Sequence, residues 1–177
     1  MITDGSAPHP GPVLSIIIAV YNDWAPLDEC LRSVATQQTG LSFEVILVDD
    51  GSDEAFSSFA WPLSSSSLKV VRQSHQGISA ARNRGIKASQ GSILLFIDAD
   101  SRLQKNCLAE LDLVMSRHPA ECYFQLHLTG EASTLVGRSE KLRLTGLQHY
   151  LRRDDRIRYL NTAGFALRRE NIDVEKG

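Results

Sequence analysis

Apolar residues fall along this chain in short continuous runs separated by longer stretches of helical spacing. The run LSIIIAV at residues 14–20 is nearly all apolar and rich in β-branched residues, the pattern of a strand buried on both faces of a parallel sheet. FEVILV (43–48), the shorter LKVV (68–71) and SILLFI (92–97) repeat it. Between them the period changes. PLDECLRSVATQQ sets Leu27, Leu31 and Val34 on one helical face, with Pro26 suited to the first turn. GISAARNRGIKASQG places Ile78, Ala81, Gly85 and Ala88 along one side, which predicts a helix packed closely on a sheet and closed by Gly91. KNCLAELDLVMSRH (105–118) predicts another amphipathic helix. Strands alternating with helices in this order predict an α/β fold, a mostly parallel sheet flanked by helices.

The remaining segments are less regular. Residues 1–13 hold several Pro and Gly and predict a disordered leader. A short helix is expected over Ala55–Trp61, a loop over the serines at 64–67, and a further strand at CYFQLHL (122–128), of either orientation. Beyond Gly130 the pattern weakens. RSEKLRLTGLQHYLRRDDR has the spacing of an amphipathic helix, and NTAGFALRRE that of a strand leading into a turn.

Candidate chemistry gathers where strands end. Ligands of open α/β sheets bind beyond the carboxyl ends of the strands. Three polar clusters stand at such ends: AVYND after the first strand, VDDGSD after the second and DADS after the fourth. Each alone could be a turn, and Asp-Gly-Ser is ordinary turn chemistry. The Asp98/Asp100 pair is also weak alone, since about 0.8 Asp-x-Asp matches are expected by chance. Three acid-bearing ends on one rim would repel unless they serve a ligand or a metal. Arg82 and Asn83, on the intervening helix, could supply donors to the same rim.

Composition narrows the classes. A chain of 177 residues, 42% hydrophobic and 23% charged, is one domain with a real core. Its formal net charge of −2 gives no general affinity for nucleic acid. Residues 138–177 are locally basic, which suits an anionic ligand or peripheral contact with a membrane surface, although a solvated basic helix is the commoner cause. Cys30, Cys107 and Cys122 are odd in number and widely spaced, so they predict buried thiols in a reducing compartment. No apolar run approaches the roughly 20 residues of a spanning helix, and the N-terminus lacks a signal-peptide pattern. The expected location is the cytoplasm, including the inner face of the membrane.

Four blocks carry a family resemblance: SIIIAVYND, VILVDDGSD, GISAARNRGIKASQGSILLFIDADS and NTAGFALRRE. In order and spacing they resemble the family 2 glycosyltransferases, strongly over residues 14–129 and weakly over 160–170. The resemblance implies the GT-A fold, whose sheet is Rossmann-like. It also implies a UDP-, GDP- or dTDP-sugar donor, and inverting transfer to a hydroxyl of a carbohydrate, lipid-linked or protein acceptor. By the same resemblance Ala19 and Tyr21 line the nucleoside site, with Tyr21 stacking on the base. Asp50 bonds the base, while Asp49 is the lesser candidate and orients the loop. Arg82 lies near the nucleotide, and Asn83 braces that loop or is structural. His75 stands where the family often has asparagine, so no donor contact is carried over for it. Asp100 binds Mg²⁺ or Mn²⁺, and Asp98 lies near the ribose and the metal. Such a cation uses one or two carboxylates together with substrate phosphates, and the small Ala99 lets a diphosphate approach. Arg168 and Arg169 are leaving-group candidates on charge alone.

Inverting transfer needs a base for the acceptor hydroxyl. In the family this acid follows a Gly-Gly-Phe-Asp-Glu-like stretch, and the present chain stops at NIDVEKG, about where that stretch begins. The expectation is therefore a nucleotide-sugar-binding core at 14–129, a truncated start of the acceptor-side region at 130–177, and a base beyond Gly177. Asp154 and Asp155, within LRRDDRIR, read better as a solvated ion-pair face. The alternative is a truncated or degenerate module that holds a nucleoside diphosphate without transferring sugar. A receiver domain does not fit, because the acid pair follows the second strand and no phosphoacceptor context accompanies it.

Overall fold

The computed structural model describes residues 13–57, 68–121, 123–126, 152–153, 156–157 and 163–172. Strand β1 (Leu14–Val20) lies inside the sheet and pairs in parallel with β2 (Phe43–Asp49) on one side and β4 (Ile93–Asp98) on the other. Strand β3 (Leu68–Arg72) adds in parallel outside β2 and leaves Val70 exposed at the edge. Two later strands complete the sheet, β5 (Tyr123–Gln125) and β8 (Gly164–Arg168), giving the order β3-β2-β1-β4-β8-β5. Strand β8 is antiparallel to β4, and β5 is antiparallel to β8, so β5 runs in the direction of the parallel strands. The architecture is the expected α/β fold with a mostly parallel sheet.

Side-chain alternation explains the unbroken apolar run of β1. Successive residues of a strand point to opposite faces. Ile16, Ile18 and Val20 join a core with Leu27, Leu31 and Val34 of α1 (Trp24–Ala35) and Leu108, Leu111 and Met115 of α3 (Cys107–Arg117). Ile17 faces the other way, packing with Ala81 and Ile86 of α2 (Ile78–Ala88) and with Phe96 and Phe165. Each fully buried Leu or Ile contributes roughly 1.5–3 kcal/mol. Helix α2 lies close on its face of the sheet. A Cβ built at Gly85 would sit 2.4 Å from Ile17 Cγ2, so only glycine leaves room there.

Several expectations change. Helix α1 begins at Trp24, ahead of Pro26, and ends at Ala35; α3 is also shorter than its periodic stretch. Ile78 is exposed in the first turn of α2, and Ile86 takes the core position instead. Gly91 does not close that helix. The chain turns extended at Ser89, whose hydroxyl donates to Ile86 O at 2.8 Å. Gly91 instead abuts β1, where an added Cβ would lie 2.7 Å from Ser15 N. Ala55–Ser57 is not helical, and the rest of that expected helix, with the serine loop, lies outside the described residues. So do the leader through residue 12 and most of the helix expected after Arg138. At the far end of that stretch β6 (Arg152–Arg153) pairs antiparallel with β7 (Arg156–Ile157), which is extended rather than helical backbone. Strand β8, from the stretch after residue 129, lies within the sheet between β4 and β5.

Candidate active site

The parallel strands end on one rim. Ala19 stands opposite Val48 and Asp98, Val20 opposite Asp49, and Asp49 opposite Arg72. Strand order reverses between β1 and β4, which is where such sheets open a crevice. A groove of about 240 Å³ lies there, lined by Ala19, Tyr21, Ile78, Asp98, Ala99 and Asp100 among others. A second hollow of similar volume, lined by Lys69, Arg84 and Lys87, lies beside the last turn of α2 and holds no carboxylate.

The loops bearing these residues are fastened to one another. Asn22, at a φ of 53°, donates from Nδ2 to Asp53 Oδ2 at 3.0 Å and accepts from Asp53 N at 2.8 Å. Its own N–H donates to Ser52 Oγ at 2.9 Å. Asparagine tolerates this left-handed backbone better than most residues. The clasp holds the Tyr21 loop against the β2 loop. Asp49 is buried and turned inward, accepting from Ser52 N at 2.9 Å and pairing with Arg72 Nη1 at 3.2 Å. Asp49 therefore orients its own loop.

Asp50 is also buried, and both of its carboxylate oxygens are used. Oδ1 accepts from Gln73 Nε2 at 2.7 Å and from Gln76 N at 3.0 Å. Oδ2 accepts from Gly77 N at 2.8 Å and lies 2.9 Å from His75 Nδ1. Burial opposes its ionisation, but these donors and the neighbouring imidazole outweigh burial and hold the carboxyl below its usual range. Asp50 thus gathers residues 73–77 into the turn that starts α2. Gly51 lets the loop pass beneath, with a φ of 82° and a virtual Cβ 2.6 Å from His75 N. The His75 ring stacks on Tyr21, with centroids 4.0 Å apart and planes 25° from parallel.

On the β4 side, Ala99 is buried, Asp98 is half-buried and Asp100 is exposed. Arg82 reaches from α2 and donates from Nη2 to Asp98 Oδ1 at 2.8 Å. Burial raises the Asp98 carboxyl above its usual range; Arg82 opposes that rise and Asp100 adds to it. Beneath the pair, Cys30 donates weakly to Asp98 O at 3.7 Å. Burial, then the charges of Asp100 and Asp98, push its thiol up to about 12, so it is inert packing.

Of the residues singled out by sequence, Ala19, Tyr21, Asp98 and Asp100 share one groove, and Arg82 touches it through Asp98. Asp50 stands behind His75. Asn83 is half-buried on α2. Arg168 and Arg169 are elsewhere, because β8 runs antiparallel and carries its end to the opposite edge, where Arg168 faces Ile93. There Arg168 donates to Met115 O at 3.0 Å, and Arg169 to Gly91 O and Ser89 Oγ, both at 2.7 Å. Sequence reasoning carried no donor contact over to His75 and placed Ile78 on the packed side of its helix, whereas Ile78 is exposed and lines the groove. The available signal was their position in the segment joining the end of β3 to α2, which a parallel sheet returns to the rim.

The sequence model of glycosyl transferase family 2 matches residues 15–174. The chain belongs to this family. Among curated relatives, EpsH of Bacillus subtilis is 33% identical over 120 residues, which is 62% of this chain and 35% of EpsH. S. aureus TarS residues 1–349, solved in complex with UDP-GlcNAc, superposes with a TM-score of 0.57 at 25% identity, over 68% of this chain and 36% of that one. The mannosyltransferase PcManGT of Pyrobaculum calidifontis, solved with GDP-Man and Mn²⁺, shares the fold with a TM-score of 0.64 at 17% identity, over 92% of this chain and 46% of that one. The chain spans about a third of the length of EpsH.

For a member of this family the DADS rim invites a test for metal. Among the described residues no cluster of three or more His, Cys, Asp or Glu side chains could hold a cation alone. The donor set present is a pair of carboxylates on one groove, which fits a hard cation that takes its other ligands from phosphates and water. Among the described residues no helix is long and apolar enough to cross a membrane.

Proposed function

We propose that this chain forms the donor-binding part of a metal-dependent glycosyltransferase that moves a sugar, with inversion, from a nucleoside diphosphate to an acceptor hydroxyl. The observation that carries this reading is the convergence of Ala19, Tyr21, Asp98, Ala99 and Asp100 on one groove where strand order reverses. The UDP-GlcNAc bound by TarS supports a nucleotide sugar as the donor class. In this reading the nucleoside lies over the ends of β1 and β2, lined by Ala19 and Tyr21, with Asp50 as acceptor for the base. The ribose lies toward Asp98 and the diphosphate toward Asp100, across the small Ala99.

Asp100, with Asp98 beside it, would hold Mg²⁺ or Mn²⁺, which when bound neutralises charge developing on the departing diphosphate. Arg82 holds Asp98 in place and offsets the repulsion between the two acids. The tethered loops keep Tyr21 and the strand ends fixed, so orientation is set before the donor arrives. Residues 14–129 supply most of this site, and 130–177 lead toward the acceptor side, to which the general base is assigned.

Titration calorimetry with UDP, GDP and dTDP, with and without Mn²⁺, tests the reading. One nucleotide should bind, and more tightly with the metal. Failure of all three to bind, or binding indifferent to metal, overturns it.

A further inference from the structure

We infer that His75 is an internal stand-in for the nucleobase, and that the donor enters by displacing it. The inference rests on the donor site proposed above. Two independent contacts lead to it. The imidazole stacks on Tyr21 at a centroid distance of 4.0 Å, and a second ring slipped between them would need roughly twice that separation. The same imidazole lies 2.9 Å from Asp50 Oδ2, whose other contact there is Gly77 N at 2.8 Å. With its proton on Nδ1, His75 donates to Asp50 as a ring N–H of a base would.

One side chain therefore occupies both the aromatic face and the acceptor assigned to the base. Among the described residues, the remaining donors to the Asp50 carboxylate, Gln73 and the N–H groups of Gln76 and Gly77, come from the loop itself. The Asp50 side chain is only 4% exposed. His75 is itself 53% exposed, so the imidazole has an open path to solvent without disturbing the core. Its backbone stays fixed, because the loop is held by the same Asp50 bonds.

The occluded and open arrangements are then two states of one side chain on a fixed loop. A ligand that binds only the open state has its apparent affinity reduced by the open fraction. Removing the imidazole raises that fraction toward unity. His75→Ala should bind the nucleoside diphosphate about two- to tenfold more tightly than the parent, the worth of one aromatic pair. His75→Phe keeps the stack without the Asp50 contact and should fall between the two.

The test combines calorimetry with NMR of the His75 Cε1–H group, using UDP, GDP and dTDP in turn with Mg²⁺. In the free protein the Tyr21 ring current should displace this proton resonance upfield, and saturating nucleotide should return it toward the position of an exposed histidine. Nucleotide binding by His75→Ala that is tighter than the parent's, with that release, supports the inference. Binding that leaves the His75 resonance unmoved, or that weakens in His75→Ala, overturns the stand-in while leaving the donor site intact. No binding by parent or variant overturns the donor site and the stand-in together.

Discussion

The Arg82 guanidinium lies 2.8 Å from Asp98 Oδ1, so one of the two rim carboxylates has a cationic partner before any ligand arrives. Asp100, two residues further along the rim and exposed, has a different setting. The pair is therefore unequal: Asp98 is held from α2, and Asp100 projects to the solvent side of the groove.

Removing Arg82 exposes the cost of that arrangement. Arg82→Ala leaves a half-buried carboxylate beside a second acid, and should lower stability by about 1–3 kcal/mol in urea unfolding. Added Mn²⁺ should raise the midpoint more in this variant than in the parent. An equal rise in both would separate Arg82 from the metal site.

Asp100→Ala should leave the fold almost unchanged, because an exposed side chain away from packed features contributes within about 0.5 kcal/mol. Its effect should appear in binding. Calorimetry should show the Mn²⁺-dependent gain in nucleotide affinity falling at least about tenfold, the loss of one ligand–metal contact. Retention of that gain would remove Asp100 from the metal site.

Acid titration should separate the two strand-end acids. The folded-state pKa of Asp50 is lowered, so its stabilising contribution is complete above the usual carboxylate value near about 4 and is lost as pH falls through the folded value. Asp50→Asn should flatten the loss of stability below that pH. The pKa of Asp98 is raised, so its contribution is complete below the usual value and is lost as pH rises through the raised one. Asp98→Asn should flatten the opposite slope. Thermal melts across pH 2–7 would read both, and parallel curves for parent and variant would contradict either assignment.

Gly85→Ala should destabilise despite the better helix propensity of alanine, which is worth only about 1 kcal/mol. The new methyl would meet the buried, β-branched Ile17 at 2.4 Å, and overpacking of this kind costs about 1–3 kcal/mol or more. Pairing it with Ile17→Ala should recover part of that loss. Additive effects in denaturant unfolding would show that the two side chains do not compete for the same space.

The elements legible in sequence were those whose pattern is local. Residues 14–20 could be read as a strand because both faces are buried, which leaves no polar interruption. The rim acids were legible because parallel strands must end on one side, so Asp49, Asp50 and Asp98 could be placed together without knowing any contact. What failed depended on partners. Ile78 fits the packed side of the helix by spacing, but it is exposed in the first turn, and Ile86 packs with Ile17 instead. Arg168 and Arg169 were candidates by charge, but the direction of β8 takes them to the far edge. The role of Gly91 was invisible because it answers to Ser15, remote in sequence. His75 was legible only by its position in the segment joining β3 to α2, because its two partners come from the ends of two other strands.

The strand β8 has a consequence for the order in which the chain can be made. Asp98 N donates to Ala163 O at 3.3 Å, and Phe96 stacks on Phe165 with centroids 4.7 Å apart. On the ribosome, β1 to β4 emerge well before these partners exist. During that interval the nascent sheet ends in a bare strand with an unsheltered phenylalanine, a template for pairing with a neighbouring chain. Translation speed between Asp98 and Gly164 thus sets how long the half-made sheet stays adhesive.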